Sequence, residues 1–586
     1  MTAYMLAPLS FLRPPGHRRH ARYRCTSLAL WALALVPFCQ ASAAAPDTVP
    51  PGEARQDCTL LFDPESPALF DFVNTRSQVD FRQYEGMQIG TLTYKVLPIF
   101  NERDDDEDNW IFRLANKLHI DTRHTTLKKQ MIISPGETLE SHRLQENERI
   151  LRSNSYLVDA MILPHRQCGD SLDLLVVARD VWTFSPSANA SRSGGEDSTS
   201  AGISDTNLLG LGQRLSIGYF HEEDRSGSTL SYTNPLLGDR TELDLFLADN
   251  SDGDAIGVAV IRPFYELDSR NSAGISLYRE KLEQSIEENG VEINRFTQQE
   301  NIYEVFYGVS GGRRNDAVQR WRVGFAEDSD RFSAVDGTVT LPEDAINRYP
   351  WISWDFQQDK FATADNINRT HRQEDIQLGY SHIIKLGYSH TDFGSDEKSL
   401  IFELGTGYSA YVQERHLTRL SAYTFGQRNS DTVRSMFFGV GADYYFFINE
   451  KNRWYVKYRF DGARNIRQDE QLTIGGVETL RGYPNEYQRG NRRWLMSVER
   501  RRFTNWHILN LAYLGVAGYI DAGKVWDTET AGTGDTDTLA NIGFGLRLSP
   551  SKFRLDRILH IDVAAPLRHV DLVDDYQVII SGRVDF

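Results

Sequence analysis

The stretch Gly475–Tyr483 has the sequence GGVETLRGY and carries an arginine, Arg481, near the tip of a glycine-rich loop. An acidic residue follows on each of the next two strand-like segments, Glu499 in the triplet SVE and Asp521 in the pentapeptide YIDAG. The chain ends in an aromatic residue, Phe586. Because a guanidinium can bind two carboxylates at once, the stretch predicts a loop that folds back and is held in place by charge.

Segments along roughly the last four hundred residues alternate between apolar and polar residues, which predicts strands with one apolar face. The alternating positions are Leu243, Leu245, Leu247; Ile542, Phe544, Leu546, Leu548; Leu559, Ile561, Val563, Ala565; and Val578, Ile580, Gly582, Val584, Phe586. In a transmembrane β-barrel the two faces meet lipid outside and water inside. A soluble β-sandwich or propeller is the alternative, which the export signal and the terminal aromatic residue disfavour.

The number of strands follows from counting the alternating segments and their turns. Fifteen candidate strands lie between Thr183 and Asn465, and five follow the GGVETLRGY loop. The resulting twenty is an even number, as bacterial barrels require. Two weak candidates, Asn301–Gly312 and Val318–Asp328, could instead be hairpins within loops.

The N-terminus has the pattern of a secretory signal peptide, which we assign to residues 1–43. Arginines but no acids precede the apolar run Leu28–Phe38, and the small residues Ala41, Ser42 and Ala43 follow it. The run is too short to cross a bilayer, and no later stretch is long and apolar enough to do so. A formal net charge of −17 argues against nucleic acid as a partner.

Residues 86–182 contain both helical and strand patterns. They predict a small α+β domain in the order β-α-α-β-β, preceded by a lead-in segment at residues 44–85. The first helix carries Ile111, Leu114 and Leu118 on one face, after the acidic run Asp104–Asp108. Acids suit the positive N-terminus of a helix, and the run lacks the spacing and turn glycine of a calcium loop. The remaining elements are a strand at Leu92–Val96, a helix at Glu137–Arg152, and strands at Tyr156–Leu163 and Leu172–Val181.

Of the four cysteines, Cys25 and Cys39 leave with the signal peptide, so Cys58 and Cys168 remain. An exported chain meets an oxidising compartment, which favours a disulfide between these two. Two free buried thiols are the alternative.

The domain order and several motifs resemble the BamA/TamA/FhaC superfamily of outer-membrane assembly and secretion barrels, the bacterial surface antigen group. The matching motifs, which occur in the family's order, are Asp205–Gly212, Leu480–Tyr483, Ser497–Glu499, Tyr519–Trp526 and Ile561–Leu567. The resemblance implies a single POTRA-like domain ahead of a barrel at residues 183–586, and a barrel of sixteen strands.

The resemblance also implies that Arg481, with Gly482 and Tyr483 beside it, meets Glu499 and Asp521 inside the barrel. Strand alternation supports the same placement, because the apolar neighbours of each acid would face lipid and turn the acid inward. The alternative is an arginine that stays solvated at the loop tip.

The seam between the first and last strands is the second place of interest. The first strand, Thr183–Ala190, is poor in strand formers, and Pro186 lacks the backbone donor that a ladder needs. The last strand ends at Phe586 and is the better strand. We therefore hypothesise a lateral gate at this seam, with a permanently closed seam as the alternative.

These patterns predict a protein of a Gram-negative outer membrane, with the small domain in the periplasm. The resemblance implies a role in inserting or translocating polypeptides, which the small domain would receive by strand addition. The expected partners are the lipid bilayer, unfolded or exported polypeptides and periplasmic proteins. A passive or substrate-specific channel is the alternative.

An enzyme is not expected, and neither is a cofactor or a metal. Gly308–Gly312 matches the pattern of a nucleophile elbow around Ser310. That motif requires a turn from a strand into a helix, whereas the residues that follow predict a turn between strands.

Overall fold

A computed structural model describes residues 58–583 apart from short gaps at 76–78, 106, 194–195, 223–224, 239, 289–290, 430–432, 467–469, 529–536, 554–557 and 569–572. The predicted signal peptide and Phe586 therefore lie outside the described residues.

The N-terminal part is a small α+β unit built on a four-stranded sheet of order β1-β3-β4-β2, in which only β2 and β4 run parallel. Its elements are β1 Thr59–Leu60, α1 Ala68–Thr75, β2 Gln88–Leu97, α2 Trp110–Leu118, α3 His124–Gln130, α4 Ser141–Arg152, β3 Leu157–Cys168 and β4 Ser171–Asp180. Within the described residues three helices separate β2 from β3, where the sequence predicted two. The additional helix, α3, has the sequence HTTLKKQ, which is too short to show an apolar period.

Both faces of the small sheet are covered. Alternate residues of β4, such as Leu174 and Val176, pack with helices α3 and α4, while Leu175 and Val177 pack under α1. Burial on both faces explains the apolar run Leu174–Ala178 in the middle of this strand. The predicted disulfide between Cys58 and Cys168 is present and ties the N-terminal edge of the sheet to the end of β3.

Twenty of the described strands close into one barrel. Strands that follow one another along the chain within the barrel pair antiparallel. The first ten are β5 Phe184–Ser193, β6 Glu196–Asp205, β7 Arg214–Glu222, β8 Ser226–Leu237, β9 Thr241–Asn250, β10 Gly253–Arg262, β11 Asn271–Glu288, β12 Val291–Arg314, β13 Ala317–Ala334 and β14 Ala345–Gln358. A hairpin of β15 Phe361–Asp365 and β16 Gln373–Gln377 comes next and lies outside the barrel sheet.

The barrel continues with β17 Gly379–Ser389, β18 Ser399–Gln413, β19 His416–Arg428, β20 Val433–Asn449 and β21 Asn452–Arg464. A second small hairpin follows, β22 Leu472–Ile474 and β23 Gln488–Gly490. The wall is completed by β24 Arg492–Ile508, β25 Ala512–Trp526, β26 Leu539–Pro550, β27 Ile558–Pro566 and β28 Gln577–Arg583, and β28 adjoins β5.

The count of twenty made from the sequence is confirmed, and the sixteen strands implied by the resemblance are wrong for this chain. The two weak candidates are not loop hairpins, because they lie within the full barrel strands β12 and β13.

The barrel wall separates an apolar outer surface from a polar interior, as a transmembrane barrel requires. Outward residues such as Leu247, Phe544 and Val563 are exposed, whereas Asp521 and Arg547 face inward and are buried. Among the described helices, none has the length and apolarity needed to cross a bilayer.

The small domain lies across one mouth of the barrel and bonds to its turns. Asn207 Nδ2 donates to Thr122 Oγ1 at 2.7 Å, and the backbone N–H of Arg123 donates to the carbonyl of Gly210 at 3.0 Å. The sequence motif Asp205–Gly212 is thus a docking turn for the helical side of the small domain.

The β15–β16 hairpin strengthens this closure from the side of the barrel. Arg152 of α4 binds both carboxylate oxygens of Asp375 at 3.0 and 2.8 Å. On the other side of the hairpin, Ile367 and Ile376 are buried against Tyr445 of the barrel wall. The hairpin therefore joins the small domain to the interior of the barrel.

Candidate functional site

The loop that joins β21 to β24 folds into the barrel and packs against its inner wall. Its apolar side chains form a buried cluster with the wall strands β25 and β26. The members of this cluster are Leu472, Ile474, Leu480, Tyr483, Tyr487, Val525, Leu539 and Val573. The loop is thus held by apolar burial as well as by charge.

The two glycines at the start of GGVETLRGY allow the loop to reverse. Gly475 and Gly476 have φ values of 120° and 78°, a region that residues with a Cβ rarely adopt. Thr479 closes the turn, because its hydroxyl accepts from the backbone N–H of Gly475 at 2.8 Å and donates to the Gly475 carbonyl at 2.7 Å. This local geometry presents Arg481 to the wall.

Arg481 contacts both acidic residues that the sequence singled out. Its Nε and one terminal nitrogen donate to the two oxygens of Asp521 at 2.8 and 2.7 Å, and the same terminal nitrogen donates to Glu499 at 2.9 Å. The guanidinium also lies 3.3 Å from the centre of the Tyr519 ring. All three charged residues are buried.

Further polar side chains complete the network on the wall. Asp521 accepts hydrogen bonds from Ser497 Oγ at 2.6 Å and from Asn541 Nδ2 at 3.1 Å. Glu499 also accepts from Arg501 at 2.8 Å. Because buried charges stabilise a structure only when they are paired and hydrogen-bonded, this arrangement ties the loop to three consecutive strands, β24, β25 and β26.

Of these additional partners, only Asn541 shows no signal in the sequence. Tyr519, Ser497 and Arg501 each lie two residues from one of the two acids on the same strand, and therefore on the same face of that strand. Ser497 and Asn541 are the register partners of Asp521 on its two neighbouring strands. That pairing depends on how strands align across the sheet, and no local pattern in the sequence reveals it.

Gly482 and Tyr483 position the tip of the loop against β26. The Tyr483 hydroxyl donates to the carbonyl of Ala540 at 3.0 Å. A Cβ at Gly482 would lie 2.6 Å from the Cβ of Asn541, so only glycine allows this approach.

We expect Gly482→Ala to displace the loop and destabilise it by about 1–3 kcal/mol, the usual cost of overpacking. Gly518→Ala is the matched control. Gly518 lies on the wall strand β25, and a Cβ added there would have no other atom within 4 Å. Labelling of a cysteine at the buried Leu480 position by a water-soluble maleimide measures the loop. Equal labelling of the two variants would show that the close approach is not required.

The seam residues are only partly described. Pro186 lies on β5 opposite Ile203 of β6, and β5 is the strand that adjoins β28. Phe586 lies beyond the described residues. The lateral gate stays a prediction.

Other residues considered in the sequence lie apart from this loop. Ser310 is within β12, close to a register shift before the turn into β13, and not on a turn into a helix. One group in the described part of the chain, His119, Asp121 and Asp180, has oxygen and nitrogen atoms close enough together to ligate a metal. Asp180 already accepts hydrogen bonds from the backbone N–H and the hydroxyl of Thr122, each at 2.7 Å, so it anchors the connection between α2 and α3 to β4.

Comparison with known proteins gives a distant likeness in structure. No protein-family model and no curated protein sequence matches the chain. A solved structure of CdiB from Escherichia coli aligns with a TM-score of 0.46 at 12% identity, covering 87% of this chain and 80% of that one.

Two further solved structures align at the same 12% identity. CdiB from Acinetobacter baumannii has a TM-score of 0.41, with 90% of this chain and 100% of that chain covered. BamA from Haemophilus ducreyi lacking POTRA domains 1–3 has a TM-score of 0.40, with 85% and 84% covered.

Proposed function

We propose that this protein is an outer-membrane barrel that inserts polypeptides into the outer membrane or moves them across it. The observation that carries the proposal is the inward-folded loop, whose Arg481 binds Asp521 and Glu499 on the barrel wall. A loop that ion pairs hold against the barrel wall can be released from the wall and bound to it again. A rigid pore does not need such a loop. The motif resemblance to assembly and secretion barrels points in the same direction.

The parts that fill the lumen and cover one mouth of the barrel favour a gated transporter of polypeptides over an open channel. The inward loop occupies the lumen, and the small domain lies across the mouth with the β15–β16 hairpin beneath it. Arg372 of this hairpin reaches the backbone carbonyl of Leu157 in the small domain at 3.3 Å. In this structure these parts stand in the path of a solute, so passage requires a conformational change.

The small domain offers an edge at which an extended polypeptide could be received. In the described sheet β2 is an edge strand, with β4 on its inner side. Its first residues are already paired, since Ile89 N–H donates to the carbonyl of Glu137 at 2.8 Å. The remainder of the edge suits strand addition by an unfolded substrate. We place this domain in the periplasm, where exported chains arrive.

Depletion of the protein in its Gram-negative host, followed by quantification of the outer-membrane proteome, tests the proposal. We expect the amounts of a subset of other barrel or exported proteins to fall, because their insertion or passage depends on this chain. Plasmid copies carrying the wild type or Gly518→Ala should restore them, and Gly482→Ala should restore them less. Unchanged levels of every other outer-membrane protein would contradict the proposal and favour a channel without an assembly role.

A further inference from the structure

Helix α2 of the small domain carries its apolar face outward. Trp110, Leu114 and Leu118 are 68, 44 and 62% exposed, and Ile111 is exposed as well. At about 100° per residue, these four side chains share one side of the helix. A folded domain in water normally buries such a face.

The opposite side of α2 is the one that attaches it to the domain. The Phe112 ring stacks on Phe100 with centroids 4.0 Å apart. Asn116 bonds to the backbone of the same residue, accepting from its N–H at 3.1 Å and donating to its carbonyl at 3.0 Å. The orientation of the helix is therefore set by Phe112 and Asn116, and the exposed apolar face is a consequence of that anchoring.

The N-terminal end of α2 lies near the turn between β26 and β27. Lys552 in that turn donates to the carbonyl of Ile99 at 3.3 Å and also binds Glu107, three residues before the helix begins. The same turn is joined to the start of the barrel, since Trp182 N–H donates to the carbonyl of Lys552 at 2.7 Å.

The C-terminal end of α2 lies beside the start of β5. His119, which directly follows the helix, has its ring centroid 6.3 Å from that of Trp182, and β5 begins two residues later at Phe184. Since β28 lies between β27 and β5, both ends of α2 contact residues that flank the strands of the seam.

We propose that the outward face of α2 lies in the headgroup and upper acyl region of the bilayer, at the leaflet on the side of the small domain. The apolar face continues the lipid-facing surface of the same strands, where Phe184, Leu559 and Ile580 are exposed. Tryptophan is enriched at such interfaces, and Lys117 on α2 suits lipid phosphate. The inference rests on the barrel spanning a bilayer, and it places a membrane anchor directly at the seam.

Depth-dependent fluorescence quenching tests this placement in the full chain. A single cysteine is introduced at Leu118, labelled with an environment-sensitive fluorophore, and the protein is reconstituted into phosphatidylethanolamine–phosphatidylglycerol vesicles that contain doxyl-labelled lipid. Val563→Cys on the outer face of β27 is the positive control, and Lys129→Cys on the exposed side of α3 is the negative control.

We expect the label at position 118 to be quenched at least about twofold more than the label at position 129, as a helix lying in the interface requires. Quenching at position 563 without quenching at 118 would overturn the proposal. A blue-shifted emission at 118 that doxyl lipid does not quench would likewise overturn it, because a polypeptide would then cover the face. Absence of quenching at 563 would overturn the membrane-spanning barrel itself, which distinguishes the two failures.

A second variant separates lipid contact from a folding effect. Leu114→Glu reduces the apolar face but leaves Phe112 and Asn116 to hold the helix, and no α2 residue is buried. We expect it to lower quenching of a label at Trp110→Cys at least about twofold while the disulfide and the barrel stay intact. Unchanged quenching in this variant would count against insertion of the apolar face.

Discussion

Replacing Arg481 with alanine is expected to release the inward loop and to abolish activity while the barrel remains folded. The substitution leaves the buried carboxylate of Asp521 without its bidentate partner and takes one of two arginines from Glu499. Breaking a buried ion pair in this way costs about 3–5 kcal/mol, so the undocked loop should gain about a hundredfold or more in population. Maleimide labelling of a cysteine at position 480 measures this gain directly.

A double substitution distinguishes loss of stability from loss of position. Arg481→Ala combined with Asp521→Asn removes the unpaired charge and leaves Glu499 paired with Arg501. Thermal stability should recover, because uncharged partners replace the buried ion, but the loop should stay undocked and inactive. An Arg481→Ala variant that restores the depleted host fully and keeps position 480 protected would refute the role of the charge contact.

Arg481→Lys is the conservative comparison. Lysine keeps the charge but lacks the planar fork that binds Asp521 and Glu499 together. We expect labelling at position 480 to lie between that of the wild type and that of the alanine variant. If position 480 were labelled as strongly in the lysine variant as in the alanine variant, the geometry of the guanidinium would matter more than its charge.

Replacing both Cys58 and Cys168 with serine is expected to loosen the small domain strongly. The disulfide joins residues 110 positions apart, and in the chain-entropy account a loop of that size contributes about 4–5 kcal/mol. Helix α1 follows Cys58 and covers Leu175 and Val177 of the sheet, so its detachment would open that face. Hydrogen exchange of β3 and β4 measures the effect.

The barrel serves as the internal control for this prediction, because its strands are paired independently of the disulfide. Exchange in β24 to β26 should not change. Reducing agent should reproduce the loosening in the wild type and have no further effect on the double variant. Undiminished protection of β3 and β4 in the reduced protein would show that packing alone holds the domain.

The inward placement of Glu499 and Asp521 was predictable because it depends only on the alternation of side chains along a strand, which is a local property. Side chains alternate between the two faces of a strand, so apolar neighbours on the lipid side place each acid inside. The strand count was predictable for the same reason, and counting alternating segments outperformed the sixteen strands implied by the resemblance. The disulfide between Cys58 and Cys168 was predicted from the expected export and from the number of remaining cysteines, and it is present.

Other features could not be predicted because they depend on distant parts of the chain. Asn541 joins the network as the register partner of Asp521, and that pairing is decided by the alignment of whole strands. Helix α3 forms because Leu127 is buried by the surrounding domain, and its own short sequence does not require a helix.

The sequence by itself determined the closed barrel behind a small α+β domain, since period-two alternation is a local property of the chain. Only the tertiary structure decided that Asn541 joins the network around Asp521, that the small domain and the β15–β16 hairpin occupy one mouth, and that α2 turns its apolar side outward. Each of these is a choice among partners far apart in sequence. The free energy of burying and pairing side chains together selects it, and no single segment encodes that sum.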